Sequence, residues 1–196
     1  MLSRSSITCL PFVLVLGIAG CDKAKPAPEQ ANVAAATTVA APEAPPAPGE
    51  GRPDRSHKGL ALPAMPFAAP GGGPATFGAF RGSPLLVNLW ATWCGPCVKE
   101  LPSLDALATR EAGRLAVVAV SEDSGGDAQV GPFWKSHGLT ALTPYTDSKT
   151  HLSVALQVDS LPTTILFDSK GKEVWRVSGG KDWTGPEAAA LLAEAK

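Results

Sequence analysis

The sequence predicts an α/β domain over residues 57–196, in which a mixed central sheet is flanked by helices. Three segments are apolar on both faces, as strands are when helices cover both sides of a sheet. These segments are Leu85–Trp90, 115–120 and Thr163–Phe167. Two segments with apolar residues at helical spacing, 96–110 and 128–137, lie between them. A βαβ half followed by a hairpin and a helix indicates strands of both directions in one sheet.

Shorter segments complete this pattern. The sequence predicts a short strand and turn over 76–81, a short strand over 142–145 and a short helix over 149–156. The polar turn 168–172 joins the strand Thr163–Phe167 to an alternating segment, 173–177, which should pair back antiparallel. A last helix should begin near Pro186.

Composition limits the function. The chain has 196 residues and a formal net charge of −1, whereas nucleic-acid-binding proteins usually carry a basic surplus. We therefore expect no nucleic-acid partner. The three histidines are scattered and there is no second Cys-x-x-Cys pair, so we also expect no metal and no cofactor.

Residues 1–20 are typical of an export signal. Arg4 precedes a mostly apolar stretch, 7–19, that is too short to span a bilayer comfortably. Small residues directly before Cys21 resemble the lipobox of bacterial lipoproteins, which implies cleavage before Cys21 and lipidation of its thiol and amino group. The alternative is an ordinary signal peptide that ends near a cysteine. Asp22 resembles a signal for retention in the inner membrane of Gram-negative bacteria, which would place the protein on the periplasmic face of that membrane.

Residues 21–56 are predicted to be a disordered linker rich in alanine and proline. They contain almost no large apolar side chain whose burial could offset the entropy of ordering. A flexible coil of this length would span roughly 30 Å, and stiff polyproline stretches would extend it toward about 100 Å. The segment is either a tether that gives the domain reach or an uninvolved spacer.

Cys94 and Cys97 carry the chemistry that the sequence suggests. They follow a predicted buried strand and open a predicted helix. Backbone N–H groups at a helix N-terminus stabilise a thiolate, which makes the first cysteine a nucleophile. We expect Cys94 to be the exposed attacking thiolate and Cys97 the resolving thiol of one redox disulfide. The alternative is a purely structural disulfide.

The segment Trp93–Cys97 resembles the active site of the thioredoxin superfamily. The segment 161–164, Leu-Pro-Thr-Thr, and Pro102 within the predicted helix match that superfamily as well. The resemblance implies a thioredoxin-like fold with a cis Pro162 beside the cysteines, which keeps metal ions away from the thiols. It also implies that the backbone of Leu161 pairs with substrate, while Trp93, Gly95 and Pro96 shape the surface that contacts it.

Within that superfamily, the chain resembles the TlpA and ResA group of membrane-anchored thiol–disulfide oxidoreductases. The segment 87–94 fits this group, and 128–145 resembles its extra helix–strand insertion. Glu100 matches a glutamate near the group's active site, where it would assist proton transfer to or from Cys97. The alternative is a solvated helix glutamate. Leu161 departs from the group, which often has valine there.

The resemblance implies an enzyme, and Gly95-Pro96 indicates the direction of its reaction. This dipeptide provides no imidazole or charge to stabilise a thiolate, which favours a reductase. Its partners would be disulfide-bearing periplasmic proteins of cytochrome c maturation or oxidase assembly, with a membrane thiol carrier as electron donor. Two alternatives are a copper-handling protein like the Sco group, which uses a Cys-x-x-x-Cys spacing, and a thiol peroxidase. Copper binding and peroxide turnover distinguish them.

Overall fold

The computed structural model describes residues 51–195, and its centre is a mixed sheet of eight strands. The strands in chain order are β1 (Pro53–Asp54), β2 (Phe67–Ala68), β3 (Pro74–Ala75), β4 (Leu85–Trp90), β5 (Ala116–Ser121), β6 (Tyr145–Thr146), β7 (Thr163–Phe167) and β8 (Glu173–Ser178). The helices are α1 (Gly95–Arg110), α2 (Gly126–Ser136), α3 (His151–Leu156) and α4 (Pro186–Leu192). The order across the sheet is β1-β8-β7-β4-β5-β6-β2-β3.

Strand β4 organises the sheet. It pairs in parallel with β5 and antiparallel with β7, and all six of its residues are buried. The hairpin β7–β8 is antiparallel, as the sequence predicts. Strand β6, which follows α2, extends the sheet beyond β5. The mixed sheet, the flanking helices and the helix–strand insertion are therefore confirmed.

Two apolar clusters cover the two faces of the sheet. Alternate residues of β4 point to opposite faces. Leu85, Val87 and Leu89 pack with α3, whereas Leu86 and Trp90 pack with α1 and α4. Asn88 has the same parity as Leu86 and Trp90, so it faces α1. This placement brings a polar side chain into the core beneath the first turns of α1.

Two predicted strands differ from the structure. Residues 76–81 contain the 3-10 segment Phe77–Phe80, because the buried Phe77 ring packs against Phe67 with centroids 4.7 Å apart. The predicted strand over 142–145 is confined to β6. Pro144 has no N–H to donate to a ladder, so pairing begins only after it.

The folded part also begins earlier than residue 57. Strand β1 pairs with β8, and Arg55 donates two hydrogen bonds to Glu194 at 2.7 and 2.9 Å. Residues 51–56 thus belong to the sheet edge and its surroundings, although their composition placed them in the linker. The predicted signal segment, Cys21 and the linker before residue 51 lie outside the described residues. Within residues 51–195, no helix has the length and apolarity needed to cross a membrane.

Candidate active site

Cys94 and Cys97 form a disulfide at the start of α1. Cys94 is the N-cap residue, and its Sγ accepts a hydrogen bond from the backbone N–H of Cys97 at 3.3 Å. Gly95 and Pro96 form the first turn, where a proline costs no helical hydrogen bond. When the disulfide is reduced, the same N–H groups and the helix dipole stabilise a thiolate on Cys94.

Both cysteines of the disulfide are buried, and Cys94 is the more exposed of the two. Cys94 is 6% exposed and Cys97 is 1% exposed, so Cys94 is less open than the sequence analysis expects. Cys94 belongs to the apolar cluster that α1 covers, which accounts for this burial. Trp93 is 71% exposed, and Gly95 and Pro96 are exposed beside it. An incoming sulfur would therefore reach Cys94 first, between these neighbours.

A polar network fixes the loop that leads into Cys94. Asp123 accepts hydrogen bonds from the backbone N–H of Thr92 at 2.8 Å and from its hydroxyl at 2.7 Å. Ser121 and Gln129 also donate to this carboxylate, at 2.7 and 2.6 Å. The buried Asp123 thus ties the loop after β4 to the loop after β5 and to α2. Sequence reasoning assigned Asp123 no role, and its only signal was its place in the polar stretch that follows a buried strand.

Pro162 lies in a cis peptide bond after Leu161, as the resemblance implies. Leu161 packs against the apolar cluster that contains both cysteines. Among residues 51–195, no hydrogen bond uses the backbone N–H or C=O of Leu161. An unpaired backbone of this kind can pair with an added strand.

Glu100 is buried one turn beyond Cys97 and is only 3% exposed. Its Oε1 accepts a hydrogen bond from the indole N–H of Trp183, and its Oε2 accepts one from Asn88 Nδ2 at 3.2 Å. Asn88 also donates to Thr164 Oγ1 at 2.9 Å, across the β4–β7 pair in which the two residues are direct partners. The alternative of a solvated glutamate is therefore wrong, and Asn88 is a buried residue that hydrogen-bonds both Glu100 and Thr164.

Burial raises the pKa of Glu100 to about 7, because the ionised carboxylate loses its hydration. Four donors oppose this rise by stabilising the charged form: the Trp183 indole, the Lys181 backbone, the Asn88 amide and the Thr164 hydroxyl. A carboxyl with this pKa can both take up and release a proton near neutral pH.

The structure thus brings together most of the residues that the sequence singles out. Trp93, Gly95 and Pro96 are sequence neighbours of the cysteines, and Glu100 follows Cys97 by one turn of α1. The Pro162 carbonyl accepts a hydrogen bond from Gly179 at 2.9 Å, and the next residue, Gly180, lies close to the Pro96 carbonyl. Sequence reasoning missed Trp183, which is separated from Glu100 by 83 positions and gives no local signal. Within residues 51–195, no group of three or more His, Cys, Asp or Glu side chains could hold a metal ion.

A family model described as Redoxin matches residues 57–192, which is most of the chain. The thioredoxin-like protein YneN of Bacillus subtilis is 39% identical over 93 residues, which are 46% of this chain and 54% of YneN. The thiol-disulfide oxidoreductase ResA of Bacillus thuringiensis is 31% identical over 102 residues, or 51% of this chain and 57% of ResA. The chain thus spans little more than half the length of these two relatives.

The fold is also similar to that of a solved structure. The exposed lipoprotein thioredoxin Etrx1 of Streptococcus pneumoniae superposes with a TM-score of 0.58 at 23% identity. The similarity covers 66% of this chain and 98% of that one. Together with the cysteine pair at the start of α1 and the cis proline, these findings show that the chain belongs to the Redoxin family, as a thioredoxin-like member that resembles the TlpA and ResA group.

Proposed function

We propose that this protein is a periplasmic thiol–disulfide oxidoreductase that reduces disulfides of partner proteins. The observation that carries the proposal is the Cys94–Cys97 disulfide at the start of α1, preceded by the exposed Trp93. The Leu161 backbone, which makes no hydrogen bond within residues 51–195, supports it. This arrangement offers a nucleophilic sulfur together with a surface for an extended peptide. The similarity to ResA, which is named a thiol-disulfide oxidoreductase, supports the same chemistry.

The reaction begins with the Cys94 thiolate. It attacks one sulfur of a partner disulfide, so that the partner's S–S bond breaks and a mixed disulfide forms. The displaced partner thiolate takes up a proton. Cys97, after losing its proton, attacks Cys94 Sγ and releases the second partner thiolate. Two electrons have then passed to the partner, and the Cys94–Cys97 disulfide has formed.

Glu100 is the group that we assign to the proton of Cys97. It follows Cys97 by three residues on α1, and it is buried on the same side of the helix. Its carboxylate would accept the proton when Cys97 attacks and return it when the disulfide is reduced again. A membrane dithiol carrier would supply the electrons for that reduction. Proteins of cytochrome c maturation or oxidase assembly are the proposed substrates.

The direction of electron flow is tested by the reduction potential of the Cys94–Cys97 pair. Because Gly95-Pro96 provides no charge that stabilises the thiolate, we expect a potential near that of thioredoxin, about −270 mV. Equilibration with dithiothreitol and glutathione buffers measures it. A Pro96→His chain is the matched control and should be more oxidising. A wild-type value near about −120 mV, typical of a strong thiol oxidant, would contradict the reductase assignment.

The location is proposed from the small residues before Cys21 and is consistent with Etrx1, which is named an exposed lipoprotein. Several acyl chains on Cys21 would anchor the protein stably, whereas one chain would not. In a Gram-negative host, the wild-type chain should fractionate with the inner membrane, and a Cys21→Ser chain should not. Recovery of the wild-type chain in the soluble periplasmic fraction would contradict lipidation.

A further inference from the structure

The loop between β8 and α4, residues 179–184, reaches from the surface beside the disulfide to the carboxyl beneath it. A Cβ added to Gly180 would lie 3.3 Å from the carbonyl oxygen of Pro96, so the loop backbone passes close to the dipeptide between the cysteines. Three residues later, Trp183 is wholly buried and donates its indole N–H to Glu100. The loop therefore touches both the predicted substrate surface and the predicted proton carrier.

Trp183 is held rigidly in this position. Its backbone N–H donates to Ser103 Oγ at 3.1 Å, one turn along α1 from Glu100. Its ring stacks on Trp175, with centroids 6.0 Å apart and an interplanar angle of 3°. The ring cannot turn away from Glu100 without leaving this stack.

Besides the donors from the Lys181 backbone and the Thr164 hydroxyl, the two oxygens of Glu100 have different side-chain partners. An indole N–H can only donate, so Oε1, which accepts it, is poorly suited to carry a proton. Oε2 faces the side-chain amide of Asn88, which has both a donor and an acceptor. Asn88 Oδ1 is buried and has no hydrogen-bond partner within residues 51–195. Rotation of this amide would present Oδ1 to a protonated Oε2. It would also break the bond from Asn88 Nδ2 to Thr164 Oγ1, which the Thr164 hydroxyl can replace by donating to Oδ1.

We propose that Trp183 is a positioning residue for the thiol–disulfide reaction: its indole N–H occupies Oε1 of Glu100, so that the exchangeable proton is carried on Oε2. Asn88 then adapts to either protonation state by rotating its amide. The role of this proton in the reaction rests on the proposed function. The assignment of the proton to one oxygen does not, because it is argued from the hydrogen bonds that Trp183 and Asn88 donate.

Trp183 stabilises the Glu100 carboxylate as an uncharged donor, and the charged side chains of its own loop have other partners. Strands β4 and β7 contribute the uncharged Asn88 and Thr164. On α1 the neighbouring Cys94–Cys97 disulfide does not titrate, and the titratable residues of the loop are Lys181 and Asp182. The ammonium of Lys181 is paired with Glu187 at 3.1 Å, and the Asp182 carboxylate bonds to Thr184.

The test compares Trp183→Phe with Trp175→Phe in the oxidised full chain. Trp175 is the matched control, since it is equally buried in the same stack but donates its indole N–H to the carbonyl of Leu191. Loss of the Trp183 donor destabilises the ionised carboxylate while burial persists, so the pKa of Glu100 should rise by about one unit, a tenfold change in proton affinity. A 13C NMR titration of the glutamate side chains measures this shift. An equal pKa in both variants would overturn the proposal.

The wild-type chain gives a second readout that does not depend on how the variants fold. Each of the five tryptophans contributes one indole N–H resonance. The Trp183 resonance should titrate with the midpoint of Glu100 and lose this titration in Glu100→Gln, whereas the Trp175 resonance should not move. A Trp183 resonance that ignores pH would overturn the proposal. Because the protein stays oxidised, a failure to reduce substrates would leave these results intact and count only against the proposed function.

Discussion

A reduced Cys97→Ser chain is expected to stop at a covalent complex when it meets a disulfide-bearing protein. Insulin serves as the probe, because its disulfides are accessible to thiols. The remaining Cys94 thiolate can attack, but no second thiol is present on α1 to resolve the mixed disulfide. The complex should persist without reductant and dissociate with dithiothreitol. Non-reducing electrophoresis and intact mass measure it.

Turnover should fail for both cysteine variants, but for different reasons. In Cys94→Ser the nucleophile is absent, so neither a complex nor catalysis above the rate of dithiothreitol alone should appear. In Cys97→Ser the complex forms and catalysis is equally lost. If Cys94→Ser retained the wild-type rate of insulin reduction, the attacking sulfur would have to lie elsewhere in the chain.

A Glu100→Gln chain should be stabilised relative to wild type as the pH rises. The carboxyl is protonated in both states below pH 4.5, so it adds no pH-dependent cost there. Between pH 4.5 and about 7 the unfolded state releases the proton while the folded state retains it, because burial raises the pKa to about 7. Above pH 7 the folded state holds a buried charge, and the wild-type chain has lost up to about 3 kcal/mol of its free energy of unfolding.

Denaturant unfolding of the oxidised proteins tests this prediction. The free energy of unfolding of Glu100→Gln minus that of wild type should grow by up to about 3 kcal/mol from pH 4 to pH 8. Asp182→Asn provides a control of opposite sign. The hydrogen bonds from Thr184 hold the pKa of that carboxyl below its usual value. Asp182→Asn should therefore lower the free energy of unfolding, and this loss should grow as the pH rises. A Glu100→Gln difference that stays constant with pH would contradict the buried, protonatable carboxyl.

Local patterns in the sequence were sufficient to predict the reaction centre. A buried strand that runs into Cys94 and a helix that opens with Gly95-Pro96 are features of neighbouring residues, and they fix both the backbone and the chemistry. Pro162 lies far along the chain, but its motif stands directly before a strand that the pattern also predicts. The central strands and the order of the helices could also be predicted, because they too depend on patterns of neighbouring residues.

The environment of Glu100 could not be predicted in this way. Its position on α1 was visible, but its burial depends on the loop after β8, which places Trp183 over it. The local sequence around Glu100 is equally compatible with a solvent-exposed glutamate on α1. The 3-10 segment Phe77–Phe80 was missed for a similar reason, since the packing of Phe77 against Phe67 decides it, and not the local alternation of residues.

The most direct test is to map the mixed disulfide in the Cys97→Ser complex by peptide mass spectrometry. The full chain still contains Cys9, Cys21 and Cys94, so the insulin sulfur has three possible partners. If the reaction runs as proposed, the bond to insulin lies on Cys94, and no insulin is attached to Cys9 or Cys21. A bond on Cys21, or no bond at all, would contradict the assignment of Cys94 as the attacking sulfur.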